Sequence, residues 1–357
     1  MIRSNLTPPP GGAKKLRVVI TDDSMFMRAA IAKTLGASGQ FEVVGQARDG
    51  HDALDKVLAL APDVVTMDFN MPGWTGADTV REIMAKKPTP VVMFSAHTKA
   101  GARETFEALA AGAVDFVAKP GGEVSTDLAK IADELVRKLI AAASARPRVP
   151  TAPIRRPTTG PIGFTGTTTL TPGLPRLCVI AVSTGGPAAL SRLVPALPGD
   201  IRFGVIIVQH MPAHFTAALA ERLDADSALT VREAQAGDRP MPGLCLIAPG
   251  DRHVEFDDRG LITLHDGPLV NGCRPAADVT MLSAARVYGR RTIGVVMTGM
   301  GKDGAAGVRA IKQAEGKTLA QDQDSSVIFG MPKAAIETGA IDDVAPLDEL
   351  AARLRAL

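Results

Sequence analysis

Short apolar runs alternate with amphipathic stretches along most of the chain, and they form two series. In the first series, residues 15–143, the apolar runs are RVVIT, FEVVGQA, DVVTM, PVVMFSA and DFVAK. The stretches between and after them predict helices over Ser24–Gly36, Gly50–Leu60, Gly76–Lys86, a segment ending at Ala111, and Thr126–Ala142. Because continuous Val and Ile runs indicate strands buried on both faces, we expect an α/β domain with a doubly wound, five-stranded parallel sheet.

The second series, residues 176–357, has the same rhythm with more interruptions. Its apolar runs are LCVIAV, FGVIIVQ, GLCLIAP, TIGVVMT and KTLAQ, and helices are predicted near Ala188, Ala213, Asp278, Ala305 and Pro332. The stretch HVEFDDRGLITLHD predicts a β-hairpin, because two alternating runs flank the turn residues DDRG. We therefore expect a second doubly wound α/β domain with a β-hairpin insertion.

A segment rich in Pro, Thr and Gly separates the two series. This segment, residues 144–175, contains no acidic residue. Such a composition cannot bury enough apolar surface to fold alone, so it predicts an extended linker. The sequence thus indicates two α/β domains that are joined by a Pro-rich linker.

Overall composition narrows the possible partners and the compartment. With one Trp, one Tyr and a formal net charge of +2, the chain lacks the basic and aromatic surface typical of nucleic-acid binding. The apolar runs are too short to cross a bilayer, and the N-terminus has no apolar stretch of signal-peptide length. Three cysteines without CxxC spacing fit a reducing compartment. We expect a cytoplasmic protein that neither binds nucleic acid nor inserts into a membrane.

Polar residues follow four of the predicted strands of the first domain. Asp22 and Asp23 end the first strand and Asp68 the third, while Ser95 and Lys119 end the fourth and fifth. In a doubly wound sheet, ligands bind at the carboxyl ends of the strands. Converging carboxylates suit Mg²⁺, and a lysine and a hydroxyl beside them suit a phosphoryl group. A single acidic residue there would favour a helix cap or a turn, but the five groups together favour a site.

The motifs TDDS, MDFNMPGWTG, FSA and DFVAKP resemble the receiver domain of two-component response regulators. The resemblance covers the whole first domain. It implies that Asp68 is the phosphoacceptor and that Asp22 and Asp23 help it to bind Mg²⁺.

The same resemblance assigns roles to residues of the last two strands. Ser95 and Lys119 would sense the phosphoryl group, and Phe116 occupies the position of the family's switch aromatic. The bond between Lys119 and Pro120 is expected to be a cis peptide bond.

A hydroxyl, an imidazole and a carboxylate follow three strands of the second domain. LCVIAV leads to Ser183, FGVIIVQ to His210, and TIGVVMT to Asp303. If the strands are neighbours, these side chains can form a triad in which histidine takes the serine proton and the carboxylate fixes the histidine tautomer. Glycines after these elements allow backbone N–H groups to approach a substrate oxyanion.

Each of the three residues also has a simpler interpretation. Ser183 and the glycines that follow could form a phosphate-binding turn, although the lysine of a nucleotide P-loop is missing. His210 could be a buried structural histidine, and His214, one helical turn away, competes as the base. Asp303 could cap the helix that begins near Gly304. The three residues taken together favour the triad.

The motifs AVSTGG, VQHMP, RPAADV and MTGMGKDGA resemble the catalytic domain of chemotaxis protein-glutamate methylesterases. A receiver, a linker and this domain, in this order, are the architecture of that family. The resemblance implies that Ser183 is the nucleophile, His210 the general base and Asp303 its orienting partner. The backbone N–H groups of Thr184 and Met300 would form the oxyanion hole. RPAADV has no role that its chemistry specifies.

The resemblance implies a phosphorylation-activated enzyme of chemotactic adaptation. The enzyme would hydrolyse methyl-glutamate on chemoreceptors to glutamate and methanol, and it would deamidate specific receptor glutamines. A chemotaxis histidine kinase would be the phosphodonor, and the unphosphorylated receiver would cover the esterase cleft. Mg²⁺ is expected in the receiver domain and no cofactor in the catalytic domain. Two alternatives stay open: an esterase or amidase for another acyl substrate, and a response regulator whose second domain only binds.

Overall fold

The structure is a computed structural model that describes residues 14–96, 98–119, 128–145 and 174–357. The chain divides into two compact units between residues 151 and 152. Most of the predicted linker, residues 144–175, lies outside the described residues. Pro120 lies outside them too, and with it the cis bond predicted after Lys119. The predicted domain limits therefore stay predictions.

The first unit contains the five-stranded parallel sheet that the sequence predicted, and its strands lie in the order β2-β1-β3-β4-β5. The strands are β1 (Leu16–Thr21), β2 (Phe41–Ala47), β3 (Val64–Asp68), β4 (Val91–Ala96) and β5 (Asp115–Lys119). The helices are α1 (Met25–Ser38), α2 (Gly50–Leu60), α3 (Gly76–Lys86), α4 (Lys99–Ala111) and α5 (Leu128–Ser144). The order reverses direction between β1 and β3, which in this fold is where ligands bind.

Four helices of the first unit are capped by the side chain of the residue that directly precedes the helix. The capping residues are Ser24, Asp49, Thr75 and Thr98, and each accepts a hydrogen bond from a backbone N–H of the first turn. The cap explains why α1 begins after Ser24. The predicted end of α1 at Gly36 is wrong, because the left-handed residue that terminates the helix is Gly39, with φ of 69°.

The second unit contains a seven-stranded parallel sheet in the order β14-β13-β12-β6-β7-β9-β8. Its strands are β6 (Arg176–Val182), β7 (Phe203–Gln209), β8 (Thr230–Glu233), β9 (Leu244–Ile247), β12 (Thr292–Val296), β13 (Lys317–Gln321) and β14 (Asp343–Ala345). The three strands that lead to the predicted triad are direct neighbours, since β6 lies between β12 and β7. The predicted fold class is confirmed for both units.

The predicted hairpin is confirmed. Strands β10 (His253–Phe256) and β11 (Ile262–His265) pair as an antiparallel two-stranded sheet. Val254, Phe256 and Ile262 are buried in the core of the second unit. The insertion is therefore anchored by its apolar side chains.

The helices of the second unit are α6 (Gly186–Ala196), α7 (Phe215–Asp226), α8 (Ala277–Tyr288), α9 (Ala305–Gln313), α10 (Met331–Glu337) and α11 (Leu347–Arg355), with one 3-10 turn at Gly289–Arg291. The residues that directly precede α6 to α11 provide no side-chain cap. Helix α11 and the short edge strands β8 and β14 were missed by the sequence analysis. Within the described residues, no helix is both long enough and apolar enough to cross a bilayer.

Candidate functional site

The carboxyl edge of the first sheet brings three aspartates together. Asp22 follows β1 and Asp68 ends β3, and these two strands are neighbours. One carboxylate oxygen of each of Asp22, Asp23 and Asp68 lies within 4.8 Å of the other two. Asp22 and Asp68 are buried, whereas Asp23 is exposed. The three predicted metal ligands therefore form one cluster that opens to solvent at Asp23.

Lys119 reaches this cluster from the end of β5. Its Nζ lies 2.8 Å from Asp68 Oδ1 and 3.2 Å from Asp22 Oδ2. Burial alone would lower the pKa of Lys119, but the two carboxylates raise it above its usual range. Burial, together with the charge of Asp22, raises the pKa of Asp68, although Lys119 opposes the rise. Lys119 is thus a cation that neutralises part of the charge of the cluster.

Ser95 and Phe116 lie on the strands beside the cluster. Ser95 is buried at the end of β4, where its hydroxyl donates a hydrogen bond to the Gly101 carbonyl 3.0 Å away. Phe116 is buried in β5, and Lys138 Nζ lies 4.9 Å from the centre of its ring. Ser95 is therefore on the same edge as Asp68, but its hydroxyl is held by α4.

The carboxylate cluster has the donor set that a hard divalent cation prefers. Its ligands are carboxylate oxygens, and one of them is exposed. Mg²⁺ binds through one or two protein carboxylates and keeps several waters, which suits an open cluster of this kind. Among the described residues, no second group of three His, Cys, Asp or Glu side chains could hold a metal ion.

The carboxyl edge of the second sheet brings Ser183 beside His210. Val182 is paired with Gln209 in the β6–β7 register, so the residues that follow lie next to each other. The N–H of His210 donates to the Val182 carbonyl at 3.1 Å, and the N–H of Ser183 donates to the Thr298 carbonyl at 3.0 Å. Both backbones are therefore fixed by neighbouring strands.

Asp303 binds the imidazole of His210. His210 Nε2 lies 2.7 Å from Asp303 Oδ2, which also accepts the N–H of Ala277 at 2.6 Å. Asp303 Oδ1 accepts the N–H of Asp278 at 3.0 Å and the Asn271 amide at 2.9 Å. Burial alone would raise the pKa of Asp303, but the hydrogen bond from His210 and the backbone N–H donors lower it. The carboxylate is thus ionised and held by four donors.

The other nitrogen of His210 faces a thiol. Burial alone would lower the pKa of His210, but the hydrogen bond to Asp303 raises it above its usual range. Cys273 Sγ lies 3.5 Å from His210 Nδ1. Within the described residues, no hydrogen bond joins the Ser183 hydroxyl to the imidazole. The structure therefore places Ser183 beside His210 and leaves Cys273 at the nitrogen that does not bind Asp303.

His214 is not one helical turn from His210, because α7 begins only at Phe215. His214 is the residue that directly precedes that helix, and it has a left-handed φ of 72°. The contact with Asp303 is made by His210. The structure thus favours His210 over its competitor as the partner of the carboxylate.

Glycines shape the turn around Ser183. Gly185 has a φ of 77°, which favours glycine, and the N–H of Gly186 donates to the Ser183 carbonyl at 2.7 Å. A Cβ at Gly299 would lie only 2.8 Å from Ser183 Cβ. Of the two predicted oxyanion donors, the N–H of Met300 donates to no group among the described residues. The loop after β12 therefore approaches Ser183 closely because position 299 has no side chain.

Sequence reasoning missed three residues of this site: Asn271, Cys273 and Asp278. Asn271 and Gly272 are the central residues of a two-residue turn, with φ of 53° and 76°, and Val270 and Cys273 exchange both backbone hydrogen bonds across it. An Asn-Gly pair is the usual sequence signal of this turn. Asp278 lies in the motif RPAADV, which was noticed but had no assigned role.

Known proteins share both halves of this organisation. Residues 18–129 match the response regulator receiver domain, and residues 178–354 match the CheB methylesterase family. The protein-glutamate methylesterase/protein-glutamine glutaminase of Symbiobacterium thermophilum is 48% identical over 346 residues, which cover 95% of this chain and 96% of that protein. The protein of the same name from Pyrococcus abyssi is 44% identical, over 96% of this chain and 93% of that protein.

A solved structure resembles the second unit. The crystal structure of the Thermotoga maritima CheB methylesterase catalytic domain is 42% identical, with a TM-score of 0.50, and the match covers 51% of this chain and 98% of that chain. The similarity to these two relatives extends over nearly the whole of each sequence. The chain therefore belongs to the CheB family of protein-glutamate methylesterases/protein-glutamine glutaminases, which are hydrolases.

Proposed function

We propose that this hydrolase demethylates methyl-glutamate side chains of chemoreceptors through Ser183, His210 and Asp303, and that phosphorylation of Asp68 activates it. The observation that carries the proposal is the 2.7 Å pair between His210 and Asp303, next to Ser183 on the adjacent strand. The names of the relatives, protein-glutamate methylesterase/protein-glutamine glutaminase, support the hydrolysis of a glutamate methyl ester.

The two nitrogens of His210 have different tasks in this proposal. Because Nε2 is held by Asp303, Nδ1 is the nitrogen that accepts the proton of Ser183, and the serine hydroxyl displaces the Cys273 thiol there. Ser183 Oγ attacks the ester carbonyl carbon, and His210 then gives the proton to the departing methanol. Water attacks the acyl-enzyme with the same help and leaves glutamate. With a glutamine side chain, the first leaving group is ammonia.

The charge that forms on the ester oxygen needs donors at the turn after Ser183. We assign the backbone N–H groups of Thr184 and Met300 to this task. The close approach of Gly299 to Ser183 supports this assignment, because it brings the Met300 loop beside the nucleophile. Donors that are fixed before the reaction stabilise a developing oxyanion without reorganising during it.

Regulation is assigned to the carboxylate cluster of the first unit. Asp68 is the phosphoacceptor, a chemotaxis histidine kinase is the donor, and Asp22, Asp23 and Asp68 would hold Mg²⁺. When bound, Mg²⁺ neutralises negative charge on the phosphoryl oxygens. Lys119, now paired with Asp68 at 2.8 Å, would pair with the phosphoryl group instead.

Two neighbours of Asp68 would respond to the new group. The Ser95 hydroxyl would exchange its hydrogen bond to Gly101 for one to a phosphoryl oxygen. Phe116, which is buried in β5, is assigned as the switch aromatic. A phosphoryl group adds about two negative charges and three strong acceptors, which is enough to reorganise such local contacts.

The first experiment measures methanol release from methylated receptor membranes by the full chain. Ser183→Ala should lower the rate at least about 1,000-fold, because the nucleophile is lost. Ser191→Ala is the matched control, since its hydroxyl only bonds to the Pro187 carbonyl within α6. Retained turnover in Ser183→Ala would refute the nucleophile. Equal turnover of small methyl esters and receptor by the unaltered chain would favour a general esterase.

The second experiment adds a small phosphodonor with Mg²⁺. The unaltered chain should become about tenfold faster, within the usual range of coupling between two sites, whereas Asp68→Asn should not respond. Asp55→Asn, at an exposed position of α2, is the matched control and should respond normally. A response of the Asp68→Asn chain equal to that of the control would refute Asp68 as the regulatory phosphoacceptor.

A further inference from the structure

Two aspartates cap each other's helices in the second unit. The carboxylate of Asp303 accepts the N–H groups of Ala277 and Asp278, which begin α8. In return, Asp278 Oδ1 accepts the N–H groups of Gly304 at 3.0 Å and Gly307 at 2.8 Å, where α9 begins. The start of α8 is thus capped by Asp303, which lies just before α9, and the start of α9 is capped by Asp278, which lies in the first turn of α8.

Asn271 links the two carboxylates. Its Nδ2 donates to Asp278 Oδ2 at 2.8 Å and to Asp303 Oδ1 at 2.9 Å. An amide nitrogen has two protons, so both are used in this bridge. Two buried carboxylates that share a site repel each other, and a donor between them reduces that repulsion. The bridge therefore holds Asp278 and Asp303 at a fixed separation.

We propose that Asp278 and Asn271 are positioning residues that hold Asp303 at the correct distance from His210. The inference rests on the proposed function, because it gives Asp303 a role in the reaction. Gly304 directly follows Asp303, so the hydrogen bond from Gly304 to Asp278 fixes the backbone of Asp303. The N–H of Asp278 and the amide of Asn271 fix the carboxylate itself. Asp278, the aspartate of the RPAADV motif, would thus support the triad by positioning Asp303.

The geometry shows why the arrangement acts on the imidazole. Asp303 Oδ2 carries the bond to His210, while Oδ1 is bound only to Asp278 and Asn271 in the described part of the chain. Losing the Asn271 donor, or displacing the Asp278 N–H, leaves Oδ1 less constrained, so the carboxylate can turn about its Cβ–Cγ bond against its Oδ2 contacts with His210 and Ala277. A small error in the placement of a reacting group is enough to lower a rate about 100-fold.

Three variants of the full chain test the proposal. Asp278→Ala removes the acceptor for Gly304 and Gly307, whereas Asp278→Asn keeps an amide oxygen that can accept both N–H groups. Asn271→Gly removes only the bridge, because a φ of 53° suits glycine. Asp258→Ala is the matched control, since this aspartate is 92% exposed and pairs only with Arg286.

The measurements are kcat and KM for methanol release from methylated receptor, and the pKa of His210 by NMR of its imidazole, assigned with His210→Gln. For Asp278→Ala we expect kcat to fall about 100-fold with KM unchanged. Asp278→Asn should recover only part of that loss, because its oxygen still accepts the Gly304 and Gly307 N–H groups while its amide nitrogen cannot accept from Asn271, and Asn271→Gly should lower kcat about tenfold. The pKa of His210 should fall in Asp278→Ala and in Asn271→Gly, because its bond to Asp303 weakens.

Unchanged kcat and unchanged pKa of His210 in a folded Asn271→Gly or Asp278→Ala chain would overturn the proposal. If Asp278→Ala does not fold, Asn271→Gly decides alone, since its backbone is not strained. Failure of the proposed function would look different: the unaltered chain would release no methanol. The pKa of His210 in the variants would then still show whether Asp278 and Asn271 position the pair.

Discussion

The helices of the two units begin in different ways. In the first unit, α1 to α4 are each capped by the side chain of the residue that directly precedes the helix, as Asp49 caps α2. In the second unit, the residues that precede α8 and α9, Ala276 and Gly304, provide no side-chain cap, and the two helices receive carboxylates from elsewhere. Local caps stabilise a helix with its own neighbouring side chain, whereas the exchanged caps use the carboxylate that binds His210.

The two buried aspartates Asp68 and Asp303 also differ in the groups that hold their carboxylates. Asp68 is held by one cation and one backbone N–H, and burial raises its pKa. Asp303 is held by four donors; burial would also raise its pKa, but those donors lower it. Asp303 is thus held by more fixed donors than Asp68, and the pKa values of the two carboxyl groups are shifted in opposite directions.

The largest expected effect comes from breaking an exchanged cap at the triad itself. Asp303→Asn should lower kcat for methyl ester hydrolysis about 10⁴-fold, because the amide cannot fix the His210 tautomer. His210 acts as a base when neutral, so activity rises with pH through its pKa. Asp303 raises that pKa, and removing the charge should therefore move the acid limb of the pH–rate profile to lower pH.

The same substitution should also lower the free energy of unfolding. It therefore affects both activity and stability, whereas removing a local cap should affect stability alone. Asparagine presents an amide to donors that need an acceptor, which costs about 1–3 kcal/mol in the free energy of unfolding. The pH–rate profile and a urea titration of the full chain measure both effects, with Asp258→Asn as the exposed control. An acid limb that stays in place would show that Asp303 does not set the pKa of His210.

A smaller effect is expected from blocking the thiol beside His210. Cys178 and Cys245 are buried, and burial raises the pKa of both thiols, whereas Cys273 is only partly buried. Iodoacetamide should therefore alkylate Cys273, forming an S–C bond and releasing iodide. The added group would lie at His210 Nδ1 and should slow methanol release about 100-fold.

Cys273→Ala is the control for this reaction. The variant should keep activity within about threefold of the unaltered chain, because the thiol is not part of the proposed chemistry, and it should resist the reagent. Mass spectrometry identifies the labelled residue. Full activity of a chain that is completely alkylated at Cys273 would show that the Nδ1 side of His210 is not where Ser183 acts.

The smallest effect is expected from removing a local cap. Asp49→Ala removes the acceptor for the N–H of Asp52, 2.9 Å away, and should lower the unfolding free energy of the first unit by about 1 kcal/mol. Trp74, the one tryptophan of the sequence, packs against His51 of α2, so its fluorescence in urea measures this transition. Methyl ester hydrolysis without phosphodonor should not change, and a loss would contradict the separation of local caps from the site.

Local signals explain what the sequence predicted well. The predicted bounds of α2 and α3 agree with the structure, since Asp49 and Thr75 cap them from the preceding position. The carboxyl ends of the buried strands were also readable, and they placed Asp68, Ser183 and His210 at the sheet edges. Short edge strands were missed, because β8 and β14 lack a continuous buried run.

Distant partners explain what the sequence did not predict. Asp303 was considered as a cap for the helix near Gly304, but its carboxylate caps α8, which begins 26 residues earlier at Ala277. Asp278 and Asn271 follow no strand of the large sheet, so reading the ends of its strands could not find them. The Asn-Gly turn was visible in the sequence, but the direction of the Asn271 side chain depends on tertiary contacts.

The exchanged caps also have a consequence for motion. The amide protons of Ala277, Asp278, Gly304 and Gly307 are all held by the same two carboxylates. Fraying at the start of α8 releases Asp303, and fraying at the start of α9 releases Asp278. Hydrogen–deuterium exchange should therefore show these four amides opening together as one cooperative group. Each such opening would briefly remove the carboxylate from His210, so the lifetime of two helix ends would limit how long Asp303 and His210 stay paired.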